Sequence, residues 1–98
     1  MQYEWDENKN QLNQQKHGIS FEEAKEIFFD TVFTSVSAKI DYGEVREISI
    51  GTIQNVLIVA VVHTDRNGKV RIISARKATP KERRKYNEYL SEAPWRNP

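Results

Sequence analysis

Apolar and polar positions change their period along this chain, and each change predicts an element. Tyr3 to Trp5 reads as a short first strand. Residues 7–17 are almost wholly polar, with Leu12 the one large aliphatic side chain. Asp6 stands in front as an N-cap and Gly18 behind as a left-handed terminator, with Lys16 and His17 at the negative end of the dipole. This predicts a surface helix pinned by Trp5 and Leu12. Ser20-Phe-Glu-Glu23 is a capping box for a second helix over about Phe21 to Phe29. Its residues Phe21, Ala24, Ile27 and Phe28 form one apolar stripe. The period then drops to two. Thr31 to Ala38 is rich in Val, Phe and Thr, and Val45 to Ile53 alternates. Val56 to Thr64 is continuously apolar up to His63, as expected for a central strand buried on both faces. Asn67-Gly68 supplies the positive φ values of a tight hairpin, and Lys69 to Lys77 is the return strand. Thr79-Pro80-Lys81-Glu82 is another capping box, with proline at the first helical position, and opens a helix to about Leu90. The fold class is α+β: an antiparallel sheet of about four strands, two N-terminal helices and a C-terminal helix.

Length narrows this to one domain over residues 1–98, too short for two cores. No cysteine is present, so disulfides and a cysteine zinc site are excluded, and two histidines make a poor metal cage. The longest apolar run, Val56 to Val62, falls far short of the roughly 20 residues of a membrane span. The N-terminus lacks the basic and apolar regions of a secretion signal, so a reducing cytoplasmic setting is expected. The formal net charge of +1 conceals two halves. Residues 1–65 hold 5 basic and 11 acidic side chains, a net of −6; residues 66–98 hold 10 and 3, a net of +7. Such a chain presents one polyanion-binding face.

The chemistry lies in that second half. No P-loop, dinucleotide glycine motif, paired-histidine zinc motif or cysteine nucleophile occurs. Cations concentrate in Arg71-Ile-Ile-Ser-Ala-Arg76-Lys77 and in the helix carrying Arg83, Arg84, Lys85 and Tyr86. Strict alternation puts Arg71, Ile73, Ala75 and Lys77 on one face and Val70, Ile72, Ser74 and Arg76 on the other. Either way an arginine stands among aliphatic residues and requires a carboxylate or an anionic ligand.

A wider set of residues carries a resemblance. It runs through Tyr3-Glu-Trp-Asp6, Lys9, Asn13, Lys16-His17-Gly18, Ser20-Phe21, Ala24, Phe28 and Asp30. It continues through Asp41-Tyr-Gly-Glu44-Val-Arg46, Ile50-Gly51, Val59 to Val62, Thr64, Arg66, Gly68 and Arg71-Ile-Ile-Ser-Ala-Arg76-Lys77-Ala78-Thr79, then Glu82, Arg83 and Tyr86. In these the chain resembles the BrnT family, the toxin half of BrnT–BrnA type II toxin–antitoxin systems. The resemblance implies a RelE-like fold and an endoribonuclease that inhibits translation by metal-independent RNA cleavage, with no cofactor. It implies a BrnA-type antitoxin, a toxin–antitoxin heterotetramer, and contact with operator DNA only through that complex.

Metal-free cleavage needs a base for the 2′-hydroxyl, cations at phosphorus and an acid for the 5′-oxygen. Arg71 and Arg76 are the expected phosphate ligands because the guanidinium fork is bidentate, with Arg66 and Lys77 at the rim. Arg83, Arg84 and Lys16 add RNA affinity. For proton transfer His17 and His63 have reference pKa values near neutrality, and Tyr86 or Glu82 serve if shifted. Each has a plainer reading. Glu82 completes a capping box, Tyr86 fills the core, His17 caps a helix, and His63 satisfies a strand end. Arg83, Arg84 and Lys85 form a solvated face, and Arg71 and Arg76 pair with Glu44, Glu47 or Asp30. Trp5 and Phe21, Phe28 and Phe29 read as core, while Trp95 either stacks on a base or meets a partner. A competing function is a non-catalytic module that binds an antitoxin or operator.

Overall fold

The computed structural model describes residues 1–41 and 44–92, with backbone alone at 37–41; Tyr42, Gly43 and Trp95 lie outside the described residues. Five strands form one sheet: β1 Gln2–Glu4, β2 Phe33–Asp41, β3 Glu44–Ile53, β4 Leu57–Arg66 and β5 Lys69–Lys77. Their spatial order is β1-β5-β4-β3-β2. The expected four-strand antiparallel sheet is therefore corrected to a mixed five-strand sheet. β2 to β5 form the meander, and β1 adds to the β5 edge in parallel, Tyr3 opposite Val70 and Glu4 opposite Arg71. That parallel addition is possible because two helices intervene and return the chain to the far edge.

The β4–β5 hairpin turns at Asn67 and Gly68, with φ 55° and 79°. The β3–β4 turn uses Gln54 and Asn55, also at positive φ, so Val56 lies in the turn and is exposed, and the central strand begins at Leu57. Val59, Ala60 and Val61 on β4 are completely buried, as a strand covered on both faces must be.

Helix α1 spans Glu7–His17, capped by Asp6 and ended by Gly18 at φ 71°. Leu12 does not pin it, being 62% exposed. Two asparagines do. Asn13 donates from Nδ2 to the carbonyls of Ile19 and Ala75, both 2.8 Å, and its Oδ1 accepts from Ala75 N–H at 3.1 Å. The side-chain amide thus pairs with β5 beyond the reach of the short β1. Asn10 Oδ1 accepts from Phe21 N–H at 2.8 Å. Helix α2, Phe21–Ala24, starts from the capping box of Ser20 and Glu23 and tightens into a 3₁₀ segment over Lys25–Phe29. The tightening keeps Ile27 against β3, where a Cβ on Gly51 would meet Ile27 Cβ at 2.8 Å.

Helix α3, Pro80–Glu92, lies on the other face. Phe21, Ala24 and Ile27 pack with Val59, Val61, Ile72 and Ala75 on the first face, and Tyr86 packs with Ile50, Ala60 and Ala78 on the second. The sheet thus carries α1 and α2 on one face and α3 on the other. Among the described residues no helix is long and apolar enough to cross a membrane.

Candidate functional site

Arg71 and Arg76 belong to one strand, five positions apart, and strict alternation would set them on opposite faces. A bulge prevents this. Val62 stands opposite Ser74 but His63 opposite Ile72, so Ile73 is an extra residue in β5. Ile72 and Ala75, three apart, consequently share the α1 face with Val70. Arg71 and Arg76, opposite Thr64 and Ala60, share the α3 face. The alternation assumed from sequence is corrected at this one residue, and the correction turns two dispersed cations into one row.

Each arginine is oriented by a carboxylate. Arg71 Nη1 donates to Glu4 Oε2 at 2.7 Å, across the β1–β5 pairing. Arg76 makes a bidentate pair with Glu82, Nη1 to Oε1 at 2.6 Å and Nη2 to Oε2 at 3.0 Å. The partners expected from sequence, Glu44, Glu47 or Asp30, are replaced by Glu4 and Glu82; Glu44 pairs with Arg66 instead. Glu82 also accepts from Thr79 N–H at 2.9 Å, while Thr79 Oγ1 accepts from Glu82 N–H at 3.2 Å. The capping box and the arginine clamp therefore share one carboxylate. Hydrogen bonding to Arg76, with Thr79 assisting, holds the Glu82 carboxyl below its ordinary range, and the same bond raises Arg76. Glu82 is ionised at neutral pH and acts as an acceptor, not an acid. The bidentate pair and a longer 3.5 Å bond from Nη1 to the Lys77 carbonyl engage three of the five guanidinium N–H groups.

Glu82, Tyr86 and Leu90 stand four apart and turn toward the sheet. Tyr86 is 4% exposed, with its hydroxyl 3.4 Å from the Thr31 carbonyl, so it is part of the α3 core. Arg83 Nη1 donates to the Ala78 carbonyl at 3.0 Å, and Arg84 and Lys85 are exposed. Lys77, opposite Val59, falls on the α1 side of the pleat. His17 is half-buried in the last turn of α1 beside exposed Lys16, and α1 meets β5 through Ala75 on the face away from Arg76. The structure brings together Arg76 and Glu82; Arg71 shares their face but stands further along β5, held by Glu4. Arg66, Lys77, His17 and Lys16 stand apart from them, in the β4–β5 hairpin and on the α1 side.

His63 lies on the α1 face, 7% exposed, its Nε2 2.7 Å from Ser49 Oγ, which is 2.7 Å from Thr34 Oγ1. Phe28 stands edge-on to it at 5.0 Å. Burial lowers the His63 pKa, with Glu47 opposing, so the imidazole is neutral at pH 7. Neither Glu4 as the partner of Arg71 nor Ser49 as the partner of His63 is legible in the sequence. The parallel register of a three-residue strand has no local signature, and a serine in an alternating strand looks solvent-facing. Among the described residues no group of three or more His, Asp or Glu side chains is arranged to hold a metal ion.

The fold and site define a small α+β protein with two carboxylate-clamped arginines on one face of β5. Its family follows from comparison: the model described as ribonuclease toxin, BrnT, of type II toxin–antitoxin system matches residues 5–82, and the chain belongs to that family. It is similar to the 1.1 Å crystal structure of the Brucella abortus ribonuclease toxin, BrnT, with 28% identity and a TM-score of 0.62 over 81% of this chain and 99% of that one. No curated protein matches the sequence.

Proposed function

We propose that this chain is a RelE-like endoribonuclease, one toxin domain over residues 1–98, that cleaves RNA without a metal and thereby halts translation. The observation that carries this reading is the bulge at Ile73, which gathers Arg71 and Arg76 on one face with Glu82. Arg76 takes the scissile phosphate, and Arg71, about 15 Å along the strand, takes one roughly two nucleotides away. The 2′-oxygen attacks phosphorus as the bond to the 5′-oxygen breaks. The charge that develops meets preorganised guanidinium donors, whose value is greatest in the transition state. Glu82 fixes the Arg76 plane and, as the ionised carboxylate beside it, takes the 2′-hydroxyl proton. The leaving 5′-oxygen takes its proton from solvent. Exposed Arg84 and Lys85, with Arg83, supply salt-dependent affinity. A BrnA-type antitoxin holds the toxin in a cytoplasmic heterotetramer and makes the operator contacts.

A second reading draws on the same pairs. Both arginines already hold carboxylates, as they would in a non-catalytic module that binds an antitoxin. Two measurements separate the readings. Inducing the chain alone should arrest growth, and the neighbouring gene product should relieve it. Purified protein should cut RNA in the presence of chelator and leave 2′,3′-cyclic phosphate and 5′-hydroxyl ends. Normal growth with abundant folded protein rejects the enzyme, and cleavage lost in chelator rejects the metal-free step.

A further inference from the structure

The α1 face of the sheet is only partly covered. Its helices lie over Ile53, Val59, Val61, Ile72 and Ala75. Beyond His63 the same face continues with Glu47, opposite His63, and Asp65, opposite Val70. There it opens into a cavity of about 360 Å³ whose lining includes Met1, Glu47, His63, Asp65 and Val70. Large apolar side chains stand exposed around it. Met1 is 88% exposed; Val36, the cross-strand neighbour of Glu47, is 68% exposed, and Val45 is two residues before Glu47 on its face. Phe29, 67% exposed, lies edge-on to Tyr3, itself opposite Val70. Exposed apolar groups collected around one opening mark an interaction site. The acidic side chains that line it are half-buried Glu47 and exposed Asp65, which repel RNA; the buried imidazole between them is neutral and does not offset their charge.

We infer that this groove is the docking site for a basic, amphipathic segment of the antitoxin. It would seat a Lys or Arg against Glu47 and Asp65 and apolar side chains among Met1, Phe29, Val36 and Val45. The inference rests on the toxin reading above and adds the surface and the chemistry of the partner. The groove faces away from Arg71 and Arg76, so it is separable from catalysis by substitution.

The test is a titration of the full chain with the protein encoded beside it, using wild type, Glu47→Lys/Asp65→Lys and the milder Glu47→Gln/Asp65→Asn. Affinity falls about 100-fold in the charge-reversed variant and about tenfold in the neutral one. The free variants cleave RNA at the wild-type rate, which also reports that they fold; if charge reversal abolishes cleavage, the neutral variant decides. Wild-type affinity weakens as salt rises. Affinity within twofold of wild type in a variant that still cleaves RNA overturns the groove. Wild-type self-association that the variants abolish, at unchanged antitoxin affinity, assigns the groove to a second copy and also overturns it. A wild-type chain that neither cleaves RNA nor binds its neighbour's product removes the toxin reading itself, a different result from loss confined to the variants.

Discussion

Arg76→Ala separates chemistry from folding. The Arg76 side chain is 36% exposed, so the Coulombic part of its pair with Glu82 is screened by solvent. Its loss costs at most about 1 kcal/mol. Glu82 keeps its bond from Thr79 N–H, so α3 stays capped. For a chain of this size that loss lowers Tm by no more than about 4–8 °C. Losing a donor aimed at developing charge costs far more, about 10²- to 10³-fold in rate. Arg76→Lys keeps the charge but not the fork, and should fall about 10- to 100-fold, the loss of one charge-assisted hydrogen bond. The assay is single-turnover cleavage of a short RNA, with a thermal melt of each protein. A rate within about threefold of wild type, less than ~1 kcal/mol of transition-state binding, would refute the role of Arg76. So would a loss of rate no larger than the unfolded fraction explains.

Further consequences follow from neighbouring contacts. The Glu82 carboxyl is held low by Arg76, so its stabilisation is full at neutral pH and disappears as pH falls below the ordinary glutamate value of roughly 4.3. Wild-type Tm should therefore drop more steeply on acidification than that of Glu82→Gln, and parallel slopes would contradict the pairing. Both proteins share an earlier loss, beginning as pH falls through about 6.5, because buried His63 must take up a proton on unfolding. Asn13→Ala leaves the Ala75 N–H and two carbonyls without their partner and should cost about 2–4 kcal/mol in denaturant unfolding, far more than Leu12→Ala. Gly51→Ala drives a methyl to 2.8 Å from Ile27 Cβ and should cost about 1–3 kcal/mol.

Much of this fold is visible in short-range chemistry. Asp6, Gly18, Ser20 with Glu23, Thr79 with Glu82, and Asn67-Gly68 each satisfy or bend the backbone within a few residues, and all act as the sequence reads. What is hidden depends on pairings distant in sequence. Gln54-Asn55 carries no glycine, so its positive φ values are imposed by the strands it joins. The bulge at Ile73 leaves no mark, since Ile-Ile-Ser-Ala reads equally well in either register. Asn13 looks like one more polar residue on a polar helix until Ala75 is placed beside it. The arginines were legible as phosphate ligands in kind, but their common face and the identity of Glu4 required the sheet order.

The central claim is that RNA meets the α3 face of the sheet, over Arg71, Arg76 and Glu82. The most direct test is an amide chemical-shift titration of the intact protein with a short 2′-O-methyl oligonucleotide, which binds but lacks the nucleophile. The account predicts shifts centred on residues 71–76 of β5 and on the first turn of α3, with α1 and the Glu47–Asp65 groove unmoved. Shifts concentrated on α1, around Lys16 and His17, with β5 and α3 silent, would contradict it.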